Sequence, residues 1–432
     1  MAEPRMALTA ADLAAIDARL APTDELLALA YPGDDGSRQP VHTVYVPADR
    51  YAPELPAVWG RAALAAAETV GGIESLATLV GLEARLAASV APRVREKLAR
   101  EPIEDLRIDF EDGYGDRGDD VEDADAIRAA KRVAASEGAG LMPPFVGIRF
   151  KSFEAATRAR GIRTLDLFIG GLLEHGGLPG GLTLTLPKVS TVGQVEAMAE
   201  VVAALERVHG LPDGRLRFEV QVETPQLILD AQGRSPVARI AHAAPGRVTG
   251  LHYGTYDYSA SLQIDAGYQS MEHPVADLAK GVMQLAVAGT GIRLSDGSTN
   301  ILPVGDRAAD AWRLHARLVR RSLERGFPQG WDLHAHQLPT RFLATYAYYR
   351  EGYAAASDRL RSYLERAAGA GGAAGTAGPV LDEPATARSL AGFVLRGVRC
   401  GAISIDEVTA DTGLGEVGLV ALAHPTHPQE AQ

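Results

Sequence analysis

Carboxylates close two of the short apolar stretches of this chain. The run RFEVQVET at 217–224 is typical of a buried strand, yet Glu223 is its next-to-last residue. The next such run, VTGLHYGTYDY at 248–258, has Asp257 in the same position. Two such carboxylates could hold a hard divalent cation, and Mg²⁺ suits them because it usually keeps several water ligands. That ion could chelate a 2-oxo acid and stabilise an enolate as a Lewis acid. Alternatively, each carboxylate caps a helix or pairs with an arginine.

Cationic side chains end other runs. Arg149 ends GIRF, where its planar guanidinium could bind a substrate carboxylate through two hydrogen bonds. An ion pair between Arg149 and Glu111 or Asp112 fits the spacing equally well. Lys188 in LPKV could form a Schiff base in a metal-free aldolase if it were desolvated, although a salt bridge is the simpler interpretation. Arg50 ends a further run, HTVYVPADR.

Other polar residues are interpreted as structural. The acidic stretch DGYGDRGDDVEDADAIR lacks the residue order of a calcium loop, so we interpret it as a solvated loop and the start of a helix. His334 and His336 are expected to point to opposite sides of a strand, which argues against a shared metal. Glu219, earlier in its strand than Glu223, is interpreted as a salt-bridging residue.

The elements that must position these residues alternate between strand and helix. A helix is predicted over 191–209, with Thr191 as its cap and Gly210 after its end. Strand–helix alternation implies a parallel sheet, and eight units over about 300 residues favour a (β/α)₈ TIM barrel over an open sheet. In barrels of this kind the reactive groups lie at the C-terminal ends of the strands. The candidate strands are 42–50, 105–113, 145–150, 182–189, 217–224, 248–258, 291–297 and 330–338.

The regions outside the barrel divide into three segments. Residues 1–40 are predicted to be a helical segment that Thr9 could cap, and 41–350 the catalytic barrel. Residues 351–379 are predicted to contain a helix and then a flexible linker, since AAGAGGAAGTAGP is low in complexity. The last segment, 380–432, is expected to form a helical lid or arm.

Composition limits the class of protein. The chain has 432 residues, is 46% hydrophobic and carries a formal charge of −12, which argues against a nucleic-acid partner. Its single cysteine cannot form an intramolecular disulfide, and its N-terminus lacks the order of a signal peptide. No apolar run approaches the ~18 residues of a membrane span. We therefore expect a cytoplasmic protein with no membrane association.

Ordered motifs over about residues 40–350 resemble the HpcH/HpaI aldolase and citrate lyase β-subunit superfamily, which includes malyl-CoA lyases. Each motif is weak alone, but they follow one another in the order of that superfamily. The similar segments are VYVPADR, IDFEDGYG, GIRF, LPKVST, VETPQLI, GLHYGTYDYSASL and LHAHQLP.

The resemblance implies a barrel with a bound Mg²⁺, or Mn²⁺ as the alternative, held by Glu223 and Asp257. It implies that Arg149 binds a 2-oxo acid and helps to polarise its carbonyl. Both residues of the second-strand motif would line the site, Glu111 as a catalytic residue and Asp112 as a substrate-binding residue. They would support metal-bound water or Arg149. The expected reaction makes or breaks a carbon–carbon bond next to a carbonyl, in a 2-oxo acid or in an acyl-CoA thioester.

The resemblance extends to the C-terminal segment and to assembly. VLDEPATARSLA is similar to a lid segment of CoA-ester lyases, in which an aspartate reaches a neighbouring subunit and transfers protons. Asp382 takes that place here, although it could simply cap a helix. If CoA is part of the substrate, Arg50 is a candidate for binding its phosphates and Lys188 is a further substrate-binding candidate. A homo-oligomer, trimer or hexamer, is also implied.

Departures from the superfamily pattern leave alternatives open. Tyr256 stands where many relatives have an acid, and Phe150 and Lys151 replace the usual Ile-Asn. A free 2-oxo acid aldolase and a CoA-ester lyase are therefore equally compatible with the motifs. The alternatives are a thioester hydrolase that uses the same site, and a non-catalytic metabolite-binding or assembly subunit. Chain length of the substrate, reaction direction and stereochemistry do not follow from the motifs.

Overall fold

The computed structural model describes residues 6–367 and 383–424, and in these ranges eight parallel strands form a single sheet. Each predicted strand is present in its predicted place, and most end two or more residues before the end of the corresponding run. The strands are β1 (His42–Pro47), β2 (Asp105–Asp109), β3 (Phe145–Arg149), β4 (Leu182–Leu186), β5 (Phe218–Val222), β6 (Val248–Tyr253), β7 (Arg293–Ser295) and β8 (Gly330–Asp332).

Helices precede, connect and follow these strands. The predicted helix at 191–209 is confirmed as α7, which begins with a capping box at Thr191 and ends at Gly210 in the left-handed conformation, with φ 64°. The helices are α1 (Ala10–Ala30), α2 (Leu55–Glu68), α3 (Ile73–Leu79), α4 (Ala84–Arg100), α5 (Asp119–Gly138), α6 (Arg158–His175), α7 (Val192–His209), α8 (Pro225–Ile228), α9 (Pro236–Ala243), α10 (Thr255–Ser261), α11 (Pro274–Val287), α12 (Ala308–Glu324), α13 (Leu338–Ala367), α14 (Pro384–Arg399), α15 (Ile405–Thr412) and α16 (Glu416–Ala423).

The sheet closes into a barrel between its first and last members. Neighbouring strands follow the order β7-β6-β5-β4-β3-β2-β1-β8, so that β7 and β8 are its two edges. A parallel bridge pairs Ser295 with Gln329, and the Asp296 N–H donates to the Gln329 carbonyl at 2.8 Å. The Trp331 N–H donates to the Gly297 carbonyl at 3.0 Å. These contacts join the edges, and the predicted (β/α)₈ fold is confirmed.

The interior of the barrel is polar, although (β/α)₈ barrels are usually filled by branched apolar side chains. Arg107 lies inside with 1% of its surface exposed, and its guanidinium donates to Glu219 at 2.9 Å. His252 contacts the same carboxylate at 2.9 Å. The salt-bridging interpretation of Glu219 is therefore confirmed. The apolar residues that alternate with these side chains, such as Val220 and Val222, belong to the hydrophobic core instead.

The N-terminal helix lies at the end of the barrel where the strands begin. Thr9 caps α1 with a capping box, as predicted, and no residue of this helix is buried. The chain then passes Gly33, whose N–H donates to the Gly289 carbonyl at 2.8 Å before β1 begins. None of the helices in the described ranges combines the length and the apolar character required to cross a bilayer.

The C-terminal helices pack along α13. Gly352 faces Phe393 and Gly397 faces Tyr349, so α14 runs antiparallel to α13. That register places Pro384 level with about residue 361, about 35 Å along the helix from its start at the mouth of the barrel. In this chain, the described C-terminal helices therefore lie away from the mouth. The helix α13 also continues through the predicted boundary at residue 350.

Ion pairs and a hydrogen bond hold this C-terminal group in place. Glu407 on α15 pairs with Arg93 at 3.1 Å and with Arg350 at 2.9 Å. The Tyr346 hydroxyl donates to the Cys400 carbonyl at 2.7 Å. The predicted linker, apart from its first residue, and Asp382 lie outside the described residues, and the division into domains stays a prediction.

Candidate active site

The C-terminal ends of consecutive strands gather a cluster of charged side chains at one mouth of the barrel. Parallel strands place these ends at the same edge, which is why residues far apart in the sequence meet there. Asp109, the last residue of β2, also lies there and was not predicted. The other members of the cluster were predicted as site residues. They are Glu111 and Asp112 after β2, Arg149 at the end of β3, Lys188 after β4, Glu223 after β5 and Asp257 on α10.

Arg149 is held by a partner that the sequence did not indicate. Its Nε and Nη2 donate to the two oxygens of Asp109 at 2.7 and 2.8 Å, and its guanidinium lies 4.8 Å from the centre of the Tyr45 ring. Its Nη1 lies 3.4 Å from Glu111, the pairing that the spacing allowed. Burial opposes the charge, but Asp109 and Glu111 together raise the pKa of Arg149 well above its usual range. The side chain is therefore a fixed cation with Nη1 turned away from Asp109.

Asp109 also shapes the loop after β2. It accepts hydrogen bonds from the Glu111 N–H at 3.0 Å and from the Gly113 N–H at 2.8 Å. One carboxylate thus fixes both Arg149 and the backbone that carries Glu111 and Asp112. The only signal in the sequence was its position two residues before Glu111, on the same side of the strand.

Lys188 stands between the carboxylates. Its ammonium contacts Glu111, lies 2.7 Å from Asp112 and lies 3.8 Å from Asp257. Burial lowers the pKa of this amine, but the charge of Glu111 and the hydrogen bond to Asp112 outweigh burial and raise its pKa. A Schiff base requires a neutral amine, so this environment favours the salt-bridge interpretation of Lys188.

Glu223 is buried without a cation of its own. Its Oε1 accepts a hydrogen bond from the Lys188 N–H at 2.7 Å, and no described residue donates to Oε2. Burial raises the pKa of Glu223 to about 8, and the charges of Asp257 and Glu111 add to the rise. Gly254 leaves room beside Oε2, since a Cβ there would lie only 2.6 Å from that oxygen. A positive charge in this space would stabilise the ionised carboxylate.

Asp257 completes a pair of oxygen donors with Glu223. Its side chain is 43% exposed, and burial together with the charge of Asp112 raises its pKa despite the opposing effect of Lys188. Among residues 6–367 and 383–424, no group of three or more His, Cys, Asp or Glu side chains is arranged to hold a metal. Two carboxylates with space beside them fit a hard cation that keeps water ligands, such as Mg²⁺.

Glu111 and Asp112 have different proton affinities although they share Lys188. Burial raises the pKa of Glu111, and repulsion from Asp112 adds to the rise. For Asp112, burial is outweighed by the hydrogen bond from Lys188, so its pKa is lowered. The mouth of the barrel therefore contains one carboxyl that retains a proton more readily than its neighbour.

Other predicted residues lie outside this cluster. Arg50 is exposed in the turn after β1, with no carboxylate of a described residue within 4.0 Å. The prediction that His334 and His336 point to opposite sides of a strand is wrong for two reasons. Residues two apart on a strand share a face, and β8 ends at Asp332, before either histidine. Their rings stack edge to face with centres 4.5 Å apart, and His334 Nδ1 accepts the His336 N–H.

Two further polar contacts near the mouth were not predicted. Gln221 is buried in the barrel, where its Nε2 donates to the Tyr45 hydroxyl at 3.1 Å, and no partner in the described ranges contacts its Oε1. The Tyr256 hydroxyl accepts the Asn300 N–H at 2.5 Å. It therefore attaches the loop after β7 to α10. The inward position of Gln221, two residues before Glu223, was its only signal in the sequence.

Comparison with known proteins matches residues 20–427 to the family described as Domain of unknown function (DUF6986). An L-malyl-CoA/β-methylmalyl-CoA lyase of Haloarcula marismortui is 34% identical over 110 residues, which are 25% of this chain and 29% of that protein. The aligned part thus spans less than a third of that relative.

Solved structures share the fold. A citrate lyase from Burkholderia xenovorans LB400 superposes with a TM-score of 0.57 at 18% identity, covering 87% of this chain and 96% of the other. The CitE protein of Mycobacterium tuberculosis, in complex with magnesium, acetoacetate and coenzyme A, has a TM-score of 0.48 at 19% identity, with coverages of 85% and 99%. Such identities show the fold alone. The lyase segment and the citrate lyase superposition agree with the resemblance to the citrate lyase β-subunit and malyl-CoA lyase superfamily that the motifs indicated.

Proposed function

The chain belongs to the DUF6986 family, and we propose that it is a Mg²⁺-dependent carbon–carbon lyase acting on a 2-oxo acid or an acyl-CoA thioester. One observation carries the proposal. The buried carboxylate of Glu223, whose pKa is raised to about 8, lies in the same cluster as Asp257 and the fixed cation Arg149. This arrangement puts carboxylates that could bind a hard cation beside a cationic group that could bind an anionic substrate.

Glu223 and Asp257 would hold the ion, with Mn²⁺ as an alternative to Mg²⁺. When bound, a divalent ion supplies Lewis-acid stabilisation to a carbonyl oxygen and to the negative charge that develops on it. The two carboxylates of the protein leave coordination positions for water and substrate.

Arg149 would orient the substrate. Asp109 occupies its Nε and Nη2, so Nη1 is the donor available for a substrate carboxylate or carbonyl. Because the guanidinium is buried and already fixed, little reorganisation would accompany binding. A hydrogen bond to a charged group in such a place is strong, since water competes for it poorly.

Glu111, Asp112 and Lys188 would complete the site. The raised pKa of Glu111 suits a carboxyl that holds or accepts a proton near the reacting carbon. Asp112 and Lys188 would bind polar groups of the substrate. The proton-transfer role of Asp382 stays a proposal from the resemblance, because this residue lies outside the described ranges.

Acyl-CoA thioesters are the first substrates to test. The segment similar to an L-malyl-CoA/β-methylmalyl-CoA lyase favours a 3-hydroxyacyl-CoA over a free 4-hydroxy-2-oxo acid. Cleavage of its C2–C3 bond would leave a thioester enolate, and the C3 hydroxyl would lose its proton and become the carbonyl of the second product. Arg50 is exposed at the mouth, where it could bind the CoA phosphates. A homo-oligomer and a cytoplasmic location remain predictions from the resemblance and the composition.

The decisive experiment is a substrate panel with and without Mg²⁺. Purified protein would be assayed on 3-hydroxyacyl-CoA esters such as malyl-CoA and on 4-hydroxy-2-oxo acids, and exchange of pyruvate methyl protons with deuterated water would be followed by NMR. We expect Mg²⁺-dependent cleavage or exchange that is lost in Glu223→Gln and Asp257→Asn. Glu200→Gln, on the exposed side of α7, is the matched control.

Three outcomes would contradict the proposal. Full activity and Mg²⁺ affinity in Glu223→Gln and Asp257→Asn would show that these residues do not hold the ion. Binding of 2-oxo acids without exchange or cleavage of any substrate would favour the non-catalytic alternative. Release of free CoA without carbon–carbon cleavage would favour thioester hydrolysis.

A further inference from the structure

Lys188 contacts four carboxylates at the mouth of the barrel. Its ammonium lies against Glu111, 2.7 Å from Asp112 and 3.8 Å from Asp257. Its backbone N–H donates to Glu223 at 2.7 Å. The four acids come from the ends of two strands, β2 and β5, and from α10, and a single residue connects all of them.

The backbone of Lys188 has an unusual conformation for a residue with a side chain. Its φ is 51°, in the left-handed region that glycine adopts more readily. Lys188 and Gln263 are the two non-glycine residues with positive φ in the described ranges. Strain of this kind concentrates at functional sites because the surroundings must hold it in place. The conformation is compatible with two contacts at once, from the N–H to Glu223 and from the ammonium to the other acids.

Lys188 and Arg149 are the two positive charges of this cluster. Arg149 is engaged by Asp109, and Lys188 is the one cation of the described residues within 4.0 Å of Asp112 or Asp257. Its ammonium thus lies between carboxylates. A divalent ion held by Glu223 and Asp257 would lie next to it. Two cations a few ångströms apart repel each other strongly.

We propose that Lys188 is a displaceable internal cation, an inference that rests on the proposed metal site. In the metal-free protein its ammonium neutralises the acids, and it competes with the divalent ion for them. When the ion binds, the ammonium turns from Asp257 to the anionic carboxylate of the substrate. Metal binding and substrate binding are thereby coupled through one side chain.

The test is the metal affinity of Lys188→Met measured without substrate. Methionine removes the charge but keeps a flexible stem and the N–H that holds Glu223. The repulsion between a unit and a divalent charge ~4 Å apart, even in bulk water, corresponds to an affinity change of about tenfold or more. We therefore expect Mg²⁺ to bind Lys188→Met about tenfold more tightly than wild type by calorimetry. The gain should shrink at high salt.

Three comparisons sharpen the test. Lys188→Arg retains the charge, so its metal affinity should stay close to that of wild type. Lys131→Met removes an exposed charge from α5 and controls for net charge alone. Pyruvate binding to the Mg²⁺-loaded protein should weaken about tenfold in Lys188→Met but not in Lys131→Met.

The alternative is that Lys188 only stabilises the loop after β4. In that case Lys188→Met would bind Mg²⁺ more weakly than wild type, or with equal affinity, and the proposal would be overturned. Lys188→Gly separates the effect of the lost charge from any effect on folding, because glycine tolerates the positive φ and keeps the N–H. This variant should also bind Mg²⁺ more tightly than wild type. If wild type and Glu223→Gln bind Mg²⁺ equally weakly, the metal site itself fails.

Discussion

Replacing Glu223 by glutamine should make the metal-free protein more stable, and increasingly so as the pH rises. Glutamine has nearly the same shape and retains an oxygen that can accept the Lys188 N–H. It carries no charge, so it removes a buried carboxylate that has no cation of its own. If the protein becomes more stable when this carboxylate is removed, Glu223 does not serve stability. Such a result would indicate a functional rather than a structural role.

The magnitude follows from the pKa. The pKa of Glu223 is about 8 in the folded protein against an ordinary value of 4.5. The folded state therefore holds this proton to higher pH than the unfolded state, and stability is lost as pH rises from 4.5 to about 8. At 1.36 kcal/mol per pKa unit, the loss is about 3 kcal/mol at pH 7 and somewhat larger above pH 8. Near pH 4 it is absent.

Urea or guanidinium unfolding in the presence of a chelator would measure this difference. The gap between Glu223→Gln and wild type should open between pH 4.5 and about 8 and then remain constant. Mg²⁺ should stabilise the wild type alone, because a ligand stabilises only the state that binds it. A gap that is independent of pH, or equal stabilisation of both proteins by Mg²⁺, would refute the reasoning.

Three further predictions concern the same site. Mg²⁺ affinity of the wild type should rise with pH up to about 8, because the proton on Glu223 competes with the ion; calorimetry at constant ionic strength would measure this rise. Asp109→Asn should free Arg149 from its fixed position and lower kcat/KM by about 100-fold, the effect expected when a group that positions a substrate is misplaced. Its Mg²⁺ affinity should be unchanged. Gly254→Ala should weaken Mg²⁺ binding at least about tenfold, because its Cβ would meet Glu223, whereas Gly267→Ala, with open space around it, should bind normally.

The barrel and most members of the cluster were predictable from the local pattern of the sequence. Strand–helix alternation predicted the order of the strands, and parallel strands must present their C-terminal ends at one edge. That rule was enough to select Glu111, Arg149, Lys188, Glu223 and Asp257 before any contact was known, because it depends on local pattern and connectivity alone.

Which of these residues contact one another depends on the folded chain. Glu111 and Lys188 are 77 positions apart, and no local pattern encodes their contact or the left-handed backbone of Lys188. Asp109 emerged as the partner of Arg149 because the two strands are in register. The raised pKa of Glu223 likewise depends on burial and on charges brought from other strands. Spacing along the chain predicts where side chains point, whereas pairing and proton affinity depend on distances across the barrel that only folding sets.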